Sequence, residues 1–167
     1  CNPCAILAGY GGAGTFSDGK LNFIPRLGKS DLTKYMSESE AYKLIDETEN
    51  IFNKFKMDAE VYPSNMDEAN EIKKKVAIAG AKLLLIKQKH LGSDHLPEYI
   101  QGICDYLEKK GVSLIERADV CDIKTESKNK HLVTYKKGNK MCTIEGKNVI
   151  IAPGRTGAKW IQELADN

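Results

Sequence analysis

The chain has 167 residues, 41% apolar, 29% charged and 7% aromatic, with 25 Lys+Arg against 23 Asp+Glu. That balance describes one globular domain of soluble type and excludes disorder and collagen, while the interleaving of the two signs excludes a basic nucleic-acid face. No apolar run approaches the ~20 residues of a membrane-spanning helix and no secretory leader is legible, so no membrane partner is expected and the cytoplasm is the default location.

The chain opens on Cys1 rather than Met and runs directly into Gly-rich sequence, which reads as a segment of a longer chain. Residues 1–35 carry Gly9, Gly11, Gly12, Gly14 and Gly19 close together and read as a structured loop. Ser37 and Glu40 then form a capping box, and Ala41, Leu44, Ile45, Thr48, Ile51, Phe52 and Phe55 recur at helical spacing, which predicts a helix of nearly five turns. Ser64 or Asn65 caps a second helix running to about Ala79, with Gly80 as its stop. Residues 82–89 hold four consecutive apolar side chains and read as a short buried strand.

A third helix begins at Ser93 or Asp94 and presents Leu96, Ile100, Ile103, Cys104 and Leu107, ending at Gly111. Four strands follow, at 112–116, 120–126, 131–135 and 141–145, with Lys137-Gly138-Asn139-Lys140 as a hairpin turn. Residues 148–152, Asn-Val-Ile-Ile-Ala, are almost wholly apolar, the pattern of a strand buried on both faces. A short final helix covers roughly 156–165.

Two phosphate-loop patterns almost match. Gly9-Tyr10-Gly11-Gly12-Ala13-Gly14 satisfies G-x-G-x-x-G, but Ser17-Asp18-Gly19 and Pro25 leave no room for the helix whose N-terminal amides would face a pyrophosphate. Gly14, Gly19 and Lys20 have the spacing of G-x-x-x-x-G-K, yet Leu21 stands where a Mg²⁺-binding hydroxyl is needed. What survives is Gly-dense backbone beside a lysine, suited to an anionic ligand. Cys1 and Cys4 have the spacing of a metal knuckle, but Cys104, Cys121 and Cys142 sit one per element, so reduced thiols and no metal are expected. His90 lies where a strand ends and a helix begins; no Ser-His-Asp or paired-carboxylate set can be assembled around it.

Val149-Ile150-Ile151-Ala152-Pro153-Gly154-Arg155-Thr156-Gly157 is similar to the aliphatic strand and turn with which flavoprotein oxidoreductases return to their FAD domain, with Pro153 where Thr is commonest. Together with Gly11-Gly12-Ala13-Gly14-Thr15-Phe16-Ser17-Asp18-Gly19-Lys20 and His90-Leu91-Gly92-Ser93-Asp94, its order and spacing make most of the chain resemble the uncharacterised FAD-dependent dehydrogenases of bacteria and archaea.

The resemblance implies an α/β fold, a partial FAD-binding Rossmann-like sheet with a β-meander and a helical insertion lobe. It divides the chain into a Gly-rich cofactor-side segment at 1–36, the insertion at 37–80 and part of the FAD-binding domain at 81–167. It implies that Gly11, Gly12, Gly14, Ser17, Asp18, Gly19 and Lys20 approach the cofactor, Val120 the adenine, and Ala152, Pro153, Gly154 and Arg155 the pyrophosphate-ribitol side. His90 is the candidate proton donor, and the partners are an unknown small-molecule substrate and neighbouring segments of the parent chain. A homodimer through an exposed sheet edge is a further expectation. Two other classes compete: a self-contained, noncatalytic anion- or nucleotide-binding module, and an interaction domain stapled by metal at Cys1 and Cys4.

Overall fold

A computed structural model describes residues 8–165, the side chain of Arg155 excepted. It is mixed α/β, and among the described residues every strand pair is antiparallel. Residues 13–106 form one compact unit; the described residues up to 12 and those from 107 onward form another.

In the first unit, strands β1 (Lys20–Asn22), β2 (Arg26–Leu27) and β3 (Ser30–Asp31) are short, and helix α1 spans Glu38–Asn53. Strand β4 (Val61–Tyr62), helix α2 (Met66–Ile78), strand β5 (Gln88–His90) and helix α3 (Leu96–Lys109), whose last turn crosses into the other unit, complete it. The order β1-β5-β4 puts Lys89 at the centre of a small sheet, opposite Leu21 on one side and Val61 on the other. Buried Met57, Leu91 and Leu96 make the core, against which Leu21, Phe52, Ala59, Tyr99, Ile100 and Ile103 pack.

The start of α1 follows its sequence signal closely: Glu40 N–H donates to Ser37 Oγ at 3.3 Å and Ser37 N–H donates to Glu40 Oε2 at 2.9 Å. Asn65 caps α2 by accepting from the amides of Asp67 and Glu68. Helix α3 departs from expectation. It begins at Leu96, not at Ser93 or Asp94, which form a turn, and Pro97 in its first turn lacks only an N–H that would have no intrahelical partner there.

In the second unit, strands β6 (Ala118–Ser127), β7 (Lys130–Lys137) and β8 (Lys140–Gly146) form an antiparallel meander, followed by a 3-10 turn at Arg155–Gly157 and helix α4 (Ala158–Ala165). Val120 stands opposite Tyr135 and Ile123 opposite Val133, with a bulge at Cys121 between them that keeps both apolar pairs on one face.

Three expected strands are not formed as expected. Pairing at 82–89 is confined to Gln88–His90, and residues 112–116 and 148–152 have no strand partner among the described residues. The buried parallel strand expected at 148–152 therefore stands corrected: Ile150 is 93% exposed. An aliphatic run specifies a need for burial, but a ladder also requires neighbours to accept and donate its hydrogen bonds. A Rossmann-like sheet is accordingly not formed by these residues.

Candidate functional site

The Gly-rich stretch is ordered by its own backbone. The amide of Gly12 donates to Gly9 O at 3.0 Å, a 3-10 turn spans Gly12–Phe16, and Ser17 N–H donates to Gly14 O at 3.1 Å. Ser17 Oγ then donates to Gly14 O at 2.7 Å and accepts from Gly19 N–H at 3.2 Å. No α-helix follows these glycines, so neither phosphate-loop pattern acquires the helix N-terminus its chemistry needs.

This stretch meets the second motif. Gly19, buried and at φ +71°, lies against the Leu91-Gly92 backbone so closely that a Cβ would stand 2.8 Å from Gly92 O. Leu91 N–H donates to Gly19 O at 2.9 Å, and Lys20 stands directly opposite His90 across β1 and β5. Residues separated by 70 to 73 positions are thus fixed together, and only glycine fits the contact. Lys20 Nζ is 2.7 Å from Asp18 Oδ2. Hydrogen bonding to that ammonium, against a smaller opposing effect of desolvation, holds the Asp18 carboxyl below its usual range; the charges of Lys20 and His90 act in the same direction. With Lys20 so committed, the positive charge invoked for a free anion is largely neutralised.

In the other unit, Val120, Ala152 and Pro153 line one open cavity of about 670 Å³, together with Ala8, Ile123, Val133 and Trp160. Sheet and helix supply different parts: β6 and β7 give branched aliphatic walls, α4 gives the only tryptophan of the chain, and residues 149–152 line it as well. Asp119 and Thr156 are the polar side chains among its lining residues. The turn after these residues is shaped by two glycines for different reasons. Gly154 has φ +65° and open space where a Cβ would be, whereas a Cβ on Gly157 would stand 2.7 Å from Pro153 Cγ.

The expected cofactor-side residues therefore fall into separate groups. Val120, Ala152 and Pro153 share the cavity, with Gly154 and Arg155 next in sequence; Ser17, Asp18, Gly19, Lys20 and His90 gather at the β1–β5 end. Gly11 and Gly12 lie in the turn before Ala13. Cys1 and Cys4 lie outside the described residues. None of Cys104, Cys121 and Cys142 is in a disulfide, and among the described residues no group of three or more His, Cys, Asp or Glu could hold a metal. Among the described residues no helix is long and apolar enough to cross a membrane.

Two features escaped the sequence reading. Trp160 looks like ordinary packing in a short terminal helix but lines the cavity. Glu49 and Lys89 are both buried, with Lys89 Nζ 3.0 Å from Glu49 Oε1 and donating to Asn53 Oδ1 at 2.8 Å. The signal was available: Glu49 falls on the line Ala41, Ile45, Glu49, Asn53, one face of α1 at four-residue steps.

No protein-family model, curated protein or solved structure matches the chain.

Proposed function

We propose that this chain supplies part of the flavin-binding site of an FAD-dependent oxidoreductase. One observation carries the reading: Val120 and Ala152-Pro153, more than thirty residues apart in sequence, line a single cavity. Its volume of about 670 Å³ is of the size that holds small molecules and cofactors.

The lining fits the adenine side of FAD. Val120, Ile123, Val133 and Trp160 offer flat apolar contact to an aromatic ring. The open space beside Gly154 lets backbone approach a pyrophosphate without a Cβ in the way. In this reading Val120 meets the adenine, while Ala152, Pro153, Gly154 and Arg155 run along the pyrophosphate and ribitol. When bound, the flavin supplies the electron transfer, and the chain's residues bind and orient it.

Trp160 is a built-in reporter. Titration with FAD should change its fluorescence saturably, ADP should compete, and FMN, which lacks the adenine, should not. Ala152→Leu fills part of the cavity without altering a left-handed backbone position and should abolish the response while leaving the melting temperature unchanged. An FAD response that persists in Ala152→Leu would place the ligand elsewhere and refute the assignment.

A further inference from the structure

We propose that the C-terminal end of α2 and the residues just after it form a docking surface for the anionic headgroup face of a lipid bilayer. The near-balanced charge of the chain hides one asymmetric stretch: residues 72–93 contain six lysines and no acidic residue. Lys87 and Lys89 engage Glu49 within the fold. Lys73, Lys74, Lys75 and Lys82 are exposed, and among the described residues none of them is in an ion pair.

These lysines surround an apolar tip. Ile78 is 88% exposed and stands four residues after Lys74 and three after Lys75, the spacings that put side chains on one helix face. Gly80 N–H donates to Ala77 O at 3.0 Å and Ala81 N–H donates to Val76 O at 3.1 Å, a tight exit that keeps Lys82 near the same end of the helix. Leu84, next but one, is 60% exposed. The acids of α2, Asp67, Glu68 and Glu71, are confined to its first half. The helix dipole favours Lys75 in the last turn, but it explains neither Lys82 outside the helix nor an isoleucine held in water among lysines.

The composition of the patch selects the partner. Nucleic acid is bound best through the planar fork of arginine and through aromatic rings that stack on bases, and residues 72–93 contain neither Arg nor an aromatic Phe, Trp or Tyr. An acidic peptide would satisfy the lysines and leave Ile78 in water. An anionic bilayer offers both partners at once, a diffuse layer of negative charge for flexible ammonium groups and hydrocarbon directly beneath it for the isoleucine. No spanning helix is needed for such a contact. The hairpin lysines Lys136, Lys137 and Lys140 are the nearest rival, but Asp119 stands opposite Lys136 across the ladder and offsets its charge. The inference stands apart from the flavin reading.

Flotation of the whole chain with vesicles of phosphatidylcholine, alone or mixed with phosphatidylserine, tests it. The chain should float with the mixed vesicles only, and salt should weaken the binding. Lys74→Gln with Lys75→Gln and Lys82→Gln should cut partitioning at least about tenfold, since each lysine near such a surface strengthens binding roughly fivefold. Lys136→Gln with Lys137→Gln and Lys140→Gln makes the same change in net charge and should leave partitioning within about twofold of wild type. Ile78→Ser should weaken vesicle binding without changing retention on polyglutamate. Circular dichroism checks that every variant is folded. No binding to the mixed vesicles, equal losses from the two triple variants, or vesicle binding indifferent to Ile78→Ser would each overturn the proposal, the last by pointing to an acidic protein partner instead.

Discussion

Replacing Glu49 with Ala should destabilise the unit of residues 13–106 by about 3–5 kcal/mol, the cost of leaving a buried charge without its counter-charge. The estimate rests on where the charges sit. The Lys89 side chain is 5% exposed at the middle of the β1-β5-β4 sheet, and the Glu49 side chain facing it from α1 is 11% exposed. Glu49 also holds Lys87 through its other carboxylate oxygen. After the substitution Lys87, 42% exposed, remains hydrated and has Asp46 at 3.9 Å, whereas Lys89 keeps only the Asn53 amide oxygen and the face of Phe23. Denaturant unfolding followed by far-UV circular dichroism measures the loss. Glu49→Gln, which retains an acceptor but no charge, should fall between wild type and Ala. Glu49→Met with Lys89→Met should recover most of the loss, since an apolar pair can replace a buried ion pair at little cost. A loss below about 1 kcal/mol for Glu49→Ala would refute the reasoning, because it would mean Lys89 is solvated or re-paired at no cost.

The same pair predicts a direction with pH. Burial works to raise the Glu49 carboxyl, but hydrogen bonds from Lys87 and Lys89 and their charges outweigh it and hold the group below the usual glutamate value. The stabilisation is therefore complete above about pH 4.3 and is lost as pH falls through the lowered value, so wild type should lose more stability on acidification than Glu49→Gln. Gly19→Ala should cost about 1–3 kcal/mol, because alanine would be forced into a left-handed conformation and against Gly92 O; Gly28→Ala, at similar φ but in open space, should cost less, and equal losses in thermal melts would remove the close-approach argument. Ser37→Ala should cost about 1 kcal/mol by breaking the capping box, with loss confined to slowed-exchange amides at the start of α1. On the proposed function, Gly154→Val should weaken FAD binding more than it lowers the melting temperature of the unliganded chain; equal losses would mean that the turn alone needs the glycine.

Local structure was legible where its partners are close in sequence. The Ser37–Glu40 box, the Asn65 cap and the hairpin at Gly138-Asn139 are each set within three or four residues, and they form as expected. Residues 148–152 show the limit. Their uniform apolarity states that burial is wanted and says nothing about which strand provides it, so the segment inferred from pattern has no strand partner among the described residues. Ser93 and Asp94 show another: a good capping residue is a preference, and the turn before Leu96 shifts the helix start. The approach of Gly19 to Gly92 depends on β1 pairing with β5 across nearly seventy intervening residues, which spacing cannot specify. Lys89 was hidden for the same reason, since a lysine in an apolar run reads as a solvated face until Glu49 is found opposite it.

The proposed flavin site is the cavity lined by Val120, Ala152, Pro153 and Trp160, which would take the adenine side of FAD. Isothermal titration of the chain with FAD tests it most directly. A strand-borne glycine fingerprint and its ribose-binding carboxylate, which such flavoproteins use, are not legible in these residues, so binding should be one-to-one, weaker than about 1 µM and competed by ADP. Heats that show no saturable binding up to about millimolar FAD would contradict the claim.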